Sequence, residues 1–250
     1  MIQLSFVILT FNEEKNIGRC INSIKGLSDD IVVIDSFSTD NTEKICSEKG
    51  VRFIKHKFEG YIEQKNWGLS QAKFDYVLSL DADEELNSEL KTEIQNVKNN
   101  FIFDGYFMNR LTNYCGKWIY HSSWYPDRKL RLFNKTKCTW SGINPHDKIV
   151  FHNPNTKYGF LSGKILHYSF YEIEDHLNKI KKYSEIAAKA YLESGRKGSY
   201  FNLLFNPILK FLRMYIIGLG FLDGYFGWKI ATLSAKETYL KYNKLLSLQK

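Results

Sequence analysis

The sequence predicts an α/β fold in which a Rossmann-like, mostly parallel central sheet is followed by a C-terminal amphipathic helical region. Three observations lead to this prediction. Strand and helix patterns alternate over residues 1–100, acidic residues follow two of the strands, and apolar residues recur at helical spacing from residue 172. We therefore expect a sheet domain over residues 1–171, divided into a first part over 1–100 and a second part over 101–171, and helices over 172–250.

Short apolar runs mark the strands of the first part. The strands are predicted at Leu4–Thr10, Ile31–Ile34, Val51–Lys55 and Tyr76–Leu80. Segments with helical patterns lie between them, at 15–25, 42–49 and 63–72. Because crossovers between parallel strands are right-handed, the residues at the strand ends, among them Thr10, Asp35 and Asp81, are expected at one edge of the sheet. Ligands of open α/β sheets bind outside this edge.

Two carboxylates, Asp81 and Asp83, follow the strand that ends at Leu80. Close carboxylates repel each other and are costly to bury unless a cation lies between them. A hard divalent ion that also carries phosphate oxygens is the natural partner. The same acids would equally suit the first turn of the helix predicted over 87–97, because helix N-termini favour negative charge. From the residues alone, both interpretations stand.

Composition narrows the class of partner without choosing one. The formal net charge is +8, with lysine and arginine dense over 110–148 and 179–250, which suits a polyanion, an anionic membrane surface or a phosphorylated substrate. The basic residues form no compact nucleic-acid-reading motif, so no nucleic acid is expected. Neither GxGxxG nor a P-loop occurs, which argues against nicotinamide or P-loop chemistry. The four cysteines contain no CxxC pair and fit a reducing compartment.

Four ordered motifs resemble a known family. They are FVILTFNEEKNI, VVIDSFSTDNT, QKNWGL and LSLDADEE, and in this order they resemble the inverting glycosyltransferases of family 2, which have a GT-A fold. Further motifs extend the resemblance to the bacterial lipopolysaccharide-core beta-1,4-glucosyltransferases: YPDRKLRLFNK, WSGINPHDKIV, ILHYSF and GFLDGYFGWKIA. The resemblance implies transfer of a hexose, glucose in this subgroup, from a UDP-sugar to a lipopolysaccharide or lipooligosaccharide inner-core sugar such as heptose. It also implies a divalent metal, Mg or Mn.

The resemblance assigns roles to residues of the first part, which would bind the nucleotide sugar. Those expected to line the donor pocket are Thr10, Phe11, Asn12 and Glu13, then Asp35 facing the base, Lys65 beside it, and Asp81. Asp81 and Asp83 match the family's DxD motif, and Asp83 is the closer match to its metal ligand. His167 is the candidate additional ligand, since imidazole with carboxylate suits manganese. The alternative for His167 is a hydrogen-bonded core histidine.

The second part would hold the acceptor and the catalytic base. An inverting transfer needs one base to deprotonate the acceptor hydroxyl, and we expect Asp147 to be that base, where the family commonly has the longer Glu. The alternative is that Asp147 pairs with Lys148 or His146 in a turn. Arg128 and Arg131 are expected to contact acceptor phosphate, because arginine binds phosphate in a bidentate fashion. The alternative for them is a solvated basic strand face.

The helical region is expected to hold the protein at the cytoplasmic face of the membrane as a peripheral protein. Its longest uncharged run, 214–222, is far short of the ~20 residues that span a bilayer, so interfacial helices are predicted over 200–233. A basic, frayed helix is predicted over 236–250. The alternative is that these helices pack on the sheet domain or on a second subunit in a homodimer. Other open alternatives are a capsular, lipid-linked or protein acceptor, and a non-catalytic membrane-binding relative.

Overall fold

The structure, a computed structural model, describes residues 1–143 and 146–249. The chain forms two compact units. The sheet unit comprises Met1–Arg110 with Asp127–His167, and the helical unit comprises Leu111–Pro126 with Tyr168–Lys250. The functional boundary predicted at residue 171 stays a prediction.

Parallel strands form the first half of the sheet unit, as expected from their buried apolar runs. They are β1 (Leu4–Thr10), β2 (Asp30–Asp35), β3 (Arg52–Lys55) and β4 (Tyr76–Asp81), in the order β3-β2-β1-β4. The connecting helices are α1 (Ile17–Ile24), α2 (Thr42–Lys49) and α3 (Tyr61–Gln71). In the register of β1, Thr10 is opposite Asp35 and Leu9 is opposite Asp81. The strand ends therefore meet at one edge of the sheet, as predicted.

Further strands extend the sheet beyond β4. After β5 (Glu84–Leu86) and α4 (Ser88–Asn99) come β6 (Gly105–Tyr114), β7 (Lys117–Trp118), β8 (Asp127–Asn134), β9 (Cys138–Ile143), β10 (His146–Phe151) and β11 (Tyr158–Phe170). The strand order continues from β4 as β8-β6-β11-β5, with antiparallel pairing at β4–β8, β8–β6 and β11–β5. Strands β9 and β10 form a separate antiparallel pair. The predicted α/β class, with parallel strands in the first half of the central sheet, is confirmed.

The core of the sheet unit lies on both faces of the parallel strands. Phe6, Ile8 and Leu80 are fully buried against α1 and α4 on one face, whereas Val7 and Ile34 pack with α3 on the other. Burial of alternate residues on opposite faces follows from the strand period of two. This packing fixes the backbone of β1 and β4. Both strands end at the edge of the sheet that carries Asp35, Asp81 and Asp83, which we call the acidic edge.

The helical unit contains α5 (Ile173–Glu193), α6 (Tyr200–Leu212) and α7 (Tyr225–Leu248). A π-helical turn at Arg213–Ile217 and a 3₁₀ turn at Gly220–Asp223 lie between α6 and α7. The predicted helix over 236–250 is not a separate element, because α7 runs without a break from Tyr225. Neither glycine nor proline occurs between Gly227 and its last residue, so no residue type in that stretch would end the helix.

The GFLDGYFG motif has a structural explanation within the helical unit. A side chain at Gly227 would bring its Cβ within 1.8 Å of the Gly220 carbonyl oxygen, so the close approach requires glycine. The buried Asp223 carboxylate accepts hydrogen bonds from the backbone N–H groups of Tyr120 and His121 at 3.3 and 3.0 Å. It also lies 3.0 Å from the His121 ring Nδ1. These contacts order the segment 119–122 inside this unit.

Helix α6 has an exposed apolar surface. None of its residues is buried, and the surface includes Tyr200, Phe201, Leu204, Ile208 and Leu209, each more than half exposed. Leaving so many large apolar side chains in water is unfavourable and is typical of a surface that contacts another molecule or a membrane. Among the helices of the described residues, none is both long and apolar enough to cross a membrane.

Candidate functional site

The acidic edge of the sheet brings Asp83 and His167 together, although 84 positions separate their numbers in the chain (167 − 83). Asp83 lies in the turn between β4 and β5, and β11 pairs with β5 so that His167 is opposite Glu84. The His167 Nε2 atom is 3.2 Å from Asp83 Oδ2, and both side chains are largely buried. A carboxylate oxygen and an imidazole nitrogen at this separation are suitable donors for a divalent transition metal.

Asp83 and His167 would supply only part of the coordination shell of a metal ion. Across the described residues, no group of three or more His, Cys, Asp or Glu side chains is arranged to hold a metal ion. A metal at Asp83 and His167 would therefore keep most of its positions for oxygens of a ligand, as Mg²⁺ and Mn²⁺ commonly do with phosphates. The contact with Asp83 fits the alternative of a hydrogen-bonded core histidine as well, so the ligand role of His167 stays a prediction.

Asp81 has a different partner, the buried guanidinium of Arg131. Arg131 Nη2 donates to Asp81 Oδ2 at 2.9 Å and to Glu84 Oε1 at 2.8 Å. Burial raises the pKa of the Asp81 carboxyl, but the positive charges of Arg131 and Lys65 outweigh this effect and hold the pKa well below its usual range. Asp81 is therefore ionised at neutral pH.

The predicted arginine pair separates into two environments along β8. Arg131 is 3% exposed, and its Nε and Nη1 atoms have no hydrogen-bond partner among the described residues. Arg128 is exposed, with its guanidinium carbon 5.5 Å from the centroid of the Phe160 ring. Contact of either residue with an acceptor phosphate stays a prediction, but Arg131 is not part of a solvated basic face.

Glu84 and Arg110 complete this charge network. The Glu84 side chain is fully buried and accepts from Arg110 Nη1 at 3.2 Å as well as from the backbone N–H of Asp81 at 3.0 Å. Arg110 also donates from Nε to Asp127 at 2.9 Å. Buried charges need such pairing because an unpaired one costs several kcal/mol. The network fixes the backbone at the start of the Asp81–Asp83 turn.

Asp147, the predicted base, pairs with Lys65, which was predicted to lie beside the nucleoside base. Lys65 Nζ is 2.5 Å from Asp147 Oδ2, and both side chains are about nine-tenths buried. The same ammonium lies 4.4 Å from the centroid of the Trp140 ring. Of the two partners considered from sequence, Lys148 makes no ion pair with Asp147 in the described part of the chain, and the His146 side chain lies outside it.

The residues predicted to line the nucleoside pocket lie at the ends of β1 and β2. Thr10 is buried, and its hydroxyl has no partner within the described residues. The Asp35 carboxylate accepts from the backbone N–H of Ser38 at 2.8 Å and from its hydroxyl at 2.5 Å. Asp35 therefore orders the loop after β2, and its predicted contact with the base stays a prediction.

Asn12 links the two strand-end loops. Its backbone is in the left-handed region, with φ of 53°, and its side-chain oxygen accepts from the backbone N–H of Thr39 at 2.8 Å. Glu13 accepts from the Asn16 side chain at 2.7 Å, whereas Phe11 is 56% exposed. A solvent-exposed ring beside a buried, unpartnered hydroxyl is a surface that a flat polar ligand could cover.

Sequence reasoning missed several members of the site. Gln64 is buried and bonds to His56 Nδ1 at 2.7 Å and to the Ser36 hydroxyl at 3.2 Å. Trp140 and Arg110 were likewise not identified as neighbours of Lys65 and Glu84. Glu84 was visible as part of the DADEE run, and its place two residues after Ala82 on the buried side was the available signal. No local pattern marks the others.

Comparison with known proteins gives a consistent result. A family model described as glycosyl transferase family 2 matches residues 5–159. An uncharacterized glycosyltransferase of Rickettsia typhi is 34% identical over 257 residues, covering 99% of this chain and 88% of its own length. The lipopolysaccharide core biosynthesis glycosyltransferase LpsC of Rhizobium meliloti is 29% identical over 258 residues, covering 96% of this chain and 93% of its own. The crystal structure of S. aureus TarS 1-349 in complex with UDP-GlcNAc superposes with a TM-score of 0.48 at 14% identity, covering 99% of this chain and 92% of that one.

Proposed function

Because the chain belongs to glycosyltransferase family 2, we propose that it transfers glucose from UDP-glucose to a heptose of a lipopolysaccharide inner core, with inversion. The similarity to a lipopolysaccharide core glycosyltransferase over nearly the whole chain supports this class of acceptor. The observation that carries the proposal is the pairing of Asp83 with His167 beside an ionised Asp81, at the sheet edge where α/β proteins bind ligands.

In this proposal, Asp83 and His167 hold a divalent ion, Mg²⁺ or Mn²⁺. When bound, the ion neutralises negative charge that develops on the leaving diphosphate. The residues support this because they offer one oxygen and one nitrogen ligand 3.2 Å apart and leave the remaining positions to the donor. Asp81 stays ionised but is engaged by Arg131, so we assign it the donor sugar or ribose hydroxyls rather than a full share of the metal.

Asp147 is proposed to act as the base of a single in-line displacement. The acceptor hydroxyl oxygen forms a bond to the anomeric carbon while the bond from that carbon to the diphosphate oxygen breaks. The hydroxyl proton passes to the Asp147 carboxylate, and UDP leaves. Asp147 is one methylene shorter than the Glu common at this position, and its buried ion pair with Lys65, whose ammonium also lies over the Trp140 ring, supports a fixed position for the carboxylate.

Lys65 controls Asp147 in this proposal. In the free protein its ammonium donates to Asp147, which occupies the carboxylate that must accept the proton. The diphosphate of the donor offers this ammonium a second, more highly charged anion. Movement of Lys65 toward the diphosphate would then free Asp147 only after the donor has bound.

A transfer assay tests the proposal directly. We expect UDP-glucose, with Mn²⁺ and a heptose-containing core oligosaccharide, to give a β-glucoside, and we expect UDP-galactose, UDP-N-acetylglucosamine and GDP-mannose to be poor donors. The anomeric configuration is read by NMR coupling constants. Transfer to a capsular, lipid-linked or protein acceptor alone would correct the acceptor, and absence of both transfer and donor hydrolysis would favour a non-catalytic, membrane-binding protein.

The variant Asp83→Ala is expected to weaken Mn²⁺-dependent binding of the donor by at least about tenfold, because one metal ligand is lost. Calorimetry with the UDP-sugar, with and without Mn²⁺, measures this. The matched control is Glu85→Ala in the same acidic run, whose partly exposed side chain lies 3.6 Å from Arg19; this variant should bind the donor as the parent does. Equal donor affinity in Asp83→Ala and the parent would exclude Asp83 as a ligand.

We also propose that the helical unit holds the protein as a peripheral protein on the cytoplasmic face of the membrane. The exposed apolar surface of α6 supports this, together with Lys210 near its end and Arg213 just after it. Apolar side chains at the acyl boundary with basic residues at the anionic head groups are the usual pattern of interfacial helices. The alternative occupant of the same surface is a second copy of the chain in a homodimer.

A further inference from the structure

The helical unit contains a cavity that the proposed transfer reaction does not use. Its volume is about 270 Å³, far more than the ~10–15 Å³ that a single water molecule occupies. Aromatic side chains line it, namely Trp124, Phe170 and Tyr183. The Trp124 and Phe170 rings are stacked at 5.6 Å, which gives the cavity a rigid apolar wall. A preformed cavity with a few polar groups is the usual form of a small-ligand site.

Two opposite charges also line this cavity, and neither has a direct partner. Within the described residues, Lys210 and Glu237 make no hydrogen bond and no ion pair within 4.0 Å. Lys210 is exposed and Glu237 is half-buried. Partial loss of hydration lowers the pKa of Lys210, and Arg213 and Lys241 act in the same direction. Loss of hydration raises the pKa of Glu237, and the attraction of Lys210 and Lys241 offsets only part of this. Each group would be stabilised by a ligand that brings the opposite charge.

The other titratable groups of the cavity do not supply those charges. Lys179 Nζ already donates to the Ser169 hydroxyl at 2.7 Å and lies 4.4 Å from the Phe170 ring centroid. Burial lowers the pKa of His176 to about 4, so this ring, bonded to the Tyr114 hydroxyl at 2.9 Å, is neutral at pH 7. One cation and one anion of the cavity therefore remain available.

We infer that this cavity binds the zwitterionic head group of a phospholipid, with phosphate at Lys210 and the ammonium arm at Glu237 between the aromatic walls. Lysine is a point-charge phosphate ligand. Ammonium groups are attracted both to carboxylate and to the faces of aromatic rings. A single anion or a single cation would leave either Glu237 or Lys210 without its partner, which is why the ligand class is zwitterionic.

The position of Lys210 favours a lipid over a free metabolite. Its neighbours on α6 include Ile208, Leu209 and Leu212, which are 51%, 59% and 44% exposed. An acyl chain that leaves a head group bound at Lys210 would meet this apolar surface instead of water. This inference rests on the proposed membrane contact of the helical unit.

The test uses the full chain and two probes. The first is sedimentation with phosphatidylglycerol vesicles diluted to equal surface charge with either phosphatidylethanolamine or an uncharged galactolipid. The second is calorimetric titration with soluble glycerophosphoethanolamine. We expect tighter binding to the phosphatidylethanolamine vesicles and saturable binding of the soluble probe. In Glu237→Gln both should fall by about tenfold or more, because a charge-assisted contact is lost.

The matched control is Lys236→Gln, which removes a charge from the neighbouring position of α7, outside the cavity lining. It should keep both the preference for phosphatidylethanolamine vesicles and the binding of the soluble probe. Vesicle binding without a preference for phosphatidylethanolamine, and without binding of the soluble probe, would overturn the head-group site and leave the membrane contact intact. Binding of the soluble probe without any vesicle binding would contradict the lipid source and the membrane contact. No binding of the soluble probe to the parent protein would overturn the cavity as a site in every case.

Discussion

Asp147→Asn is expected to lower kcat by about 10² to 10⁴-fold while donor affinity changes little, because general base catalysis contributes rate enhancement of that order. The amide keeps an oxygen that can accept from Lys65, which is 2.5 Å from the carboxylate in the parent protein. The contact with Lys65, and the position of Lys65 over the Trp140 ring, should therefore be preserved. The measurements are steady-state transfer from UDP-glucose and calorimetric titration of the donor with Mn²⁺.

The control for this variant is Asp104→Asn. Asp104 is also a carboxylate that pairs with a lysine, Lys137 at 2.8 Å, but the Lys137 side chain is 56% exposed, so the pair contributes little. Turnover should be unchanged there. If Asp147→Asn loses donor affinity in proportion to its rate, then Asp147 serves the donor site and another group is the base.

Arg131→Met is expected to lower the free energy of unfolding by about 3–5 kcal/mol, because it removes one partner of a buried ion-pair network and leaves Arg110 as the guanidinium that still pairs with Glu84. Arg131 is 3% exposed and donates to Asp81 and to the fully buried Glu84. Methionine fills a similar volume, so the loss reflects charge more than a cavity. Urea denaturation followed by the fluorescence of the tryptophans measures it.

Arg128→Met on the same strand is the control, and a change below about 1 kcal/mol is expected, since its exposed guanidinium lies over the exposed Phe160 ring and forms no ion pair within the described residues. Together, the two variants distinguish a role of these arginines in stability from a role in binding an acceptor phosphate. If Arg131→Met unfolds like the parent and loses only affinity for a phosphorylated acceptor, then the network around Glu84 is not structural and the phosphate role predicted from sequence gains support.

Much of the fold could be predicted because each element has a local cause. Helix α2 and strand β4 were predicted to within a residue, since capping residues and buried apolar runs are read from neighbouring positions. The continuous α7 was not predicted, because a change from apolar to basic composition near Lys236 looks like a boundary although it does not end a helix. The residue types along one continuous helix can change from apolar to basic where the helix passes from buried to exposed surroundings.

From the residues alone, without the family resemblance, the candidate site could be predicted only where one strand end supplies the side chains. Asp81 and Asp83 were identified from their spacing, and His167 from the family resemblance. The pairing of Arg131 with Asp81 joins residues 50 positions apart, and that of Lys65 with Asp147 joins residues 82 apart. Whether an arginine is buried against acids or exposed depends on strand order, which no local pattern contains.

The way the chain passes between its two units affects the order in which it can fold during synthesis. The segment Leu111–Pro126 belongs to the helical unit but is made before the later strands of the sheet unit. Its Tyr114 and Ile119 are buried against Met214, Ile230 and Ala231, which leave the ribosome more than ninety residues later (214 − 119 = 95). Until then these side chains have no core, and a nascent or prematurely terminated chain exposes them. A chain cut at residue 171 would therefore be a poor soluble fragment, and dependence on chaperones is expected to end only when α7 is complete.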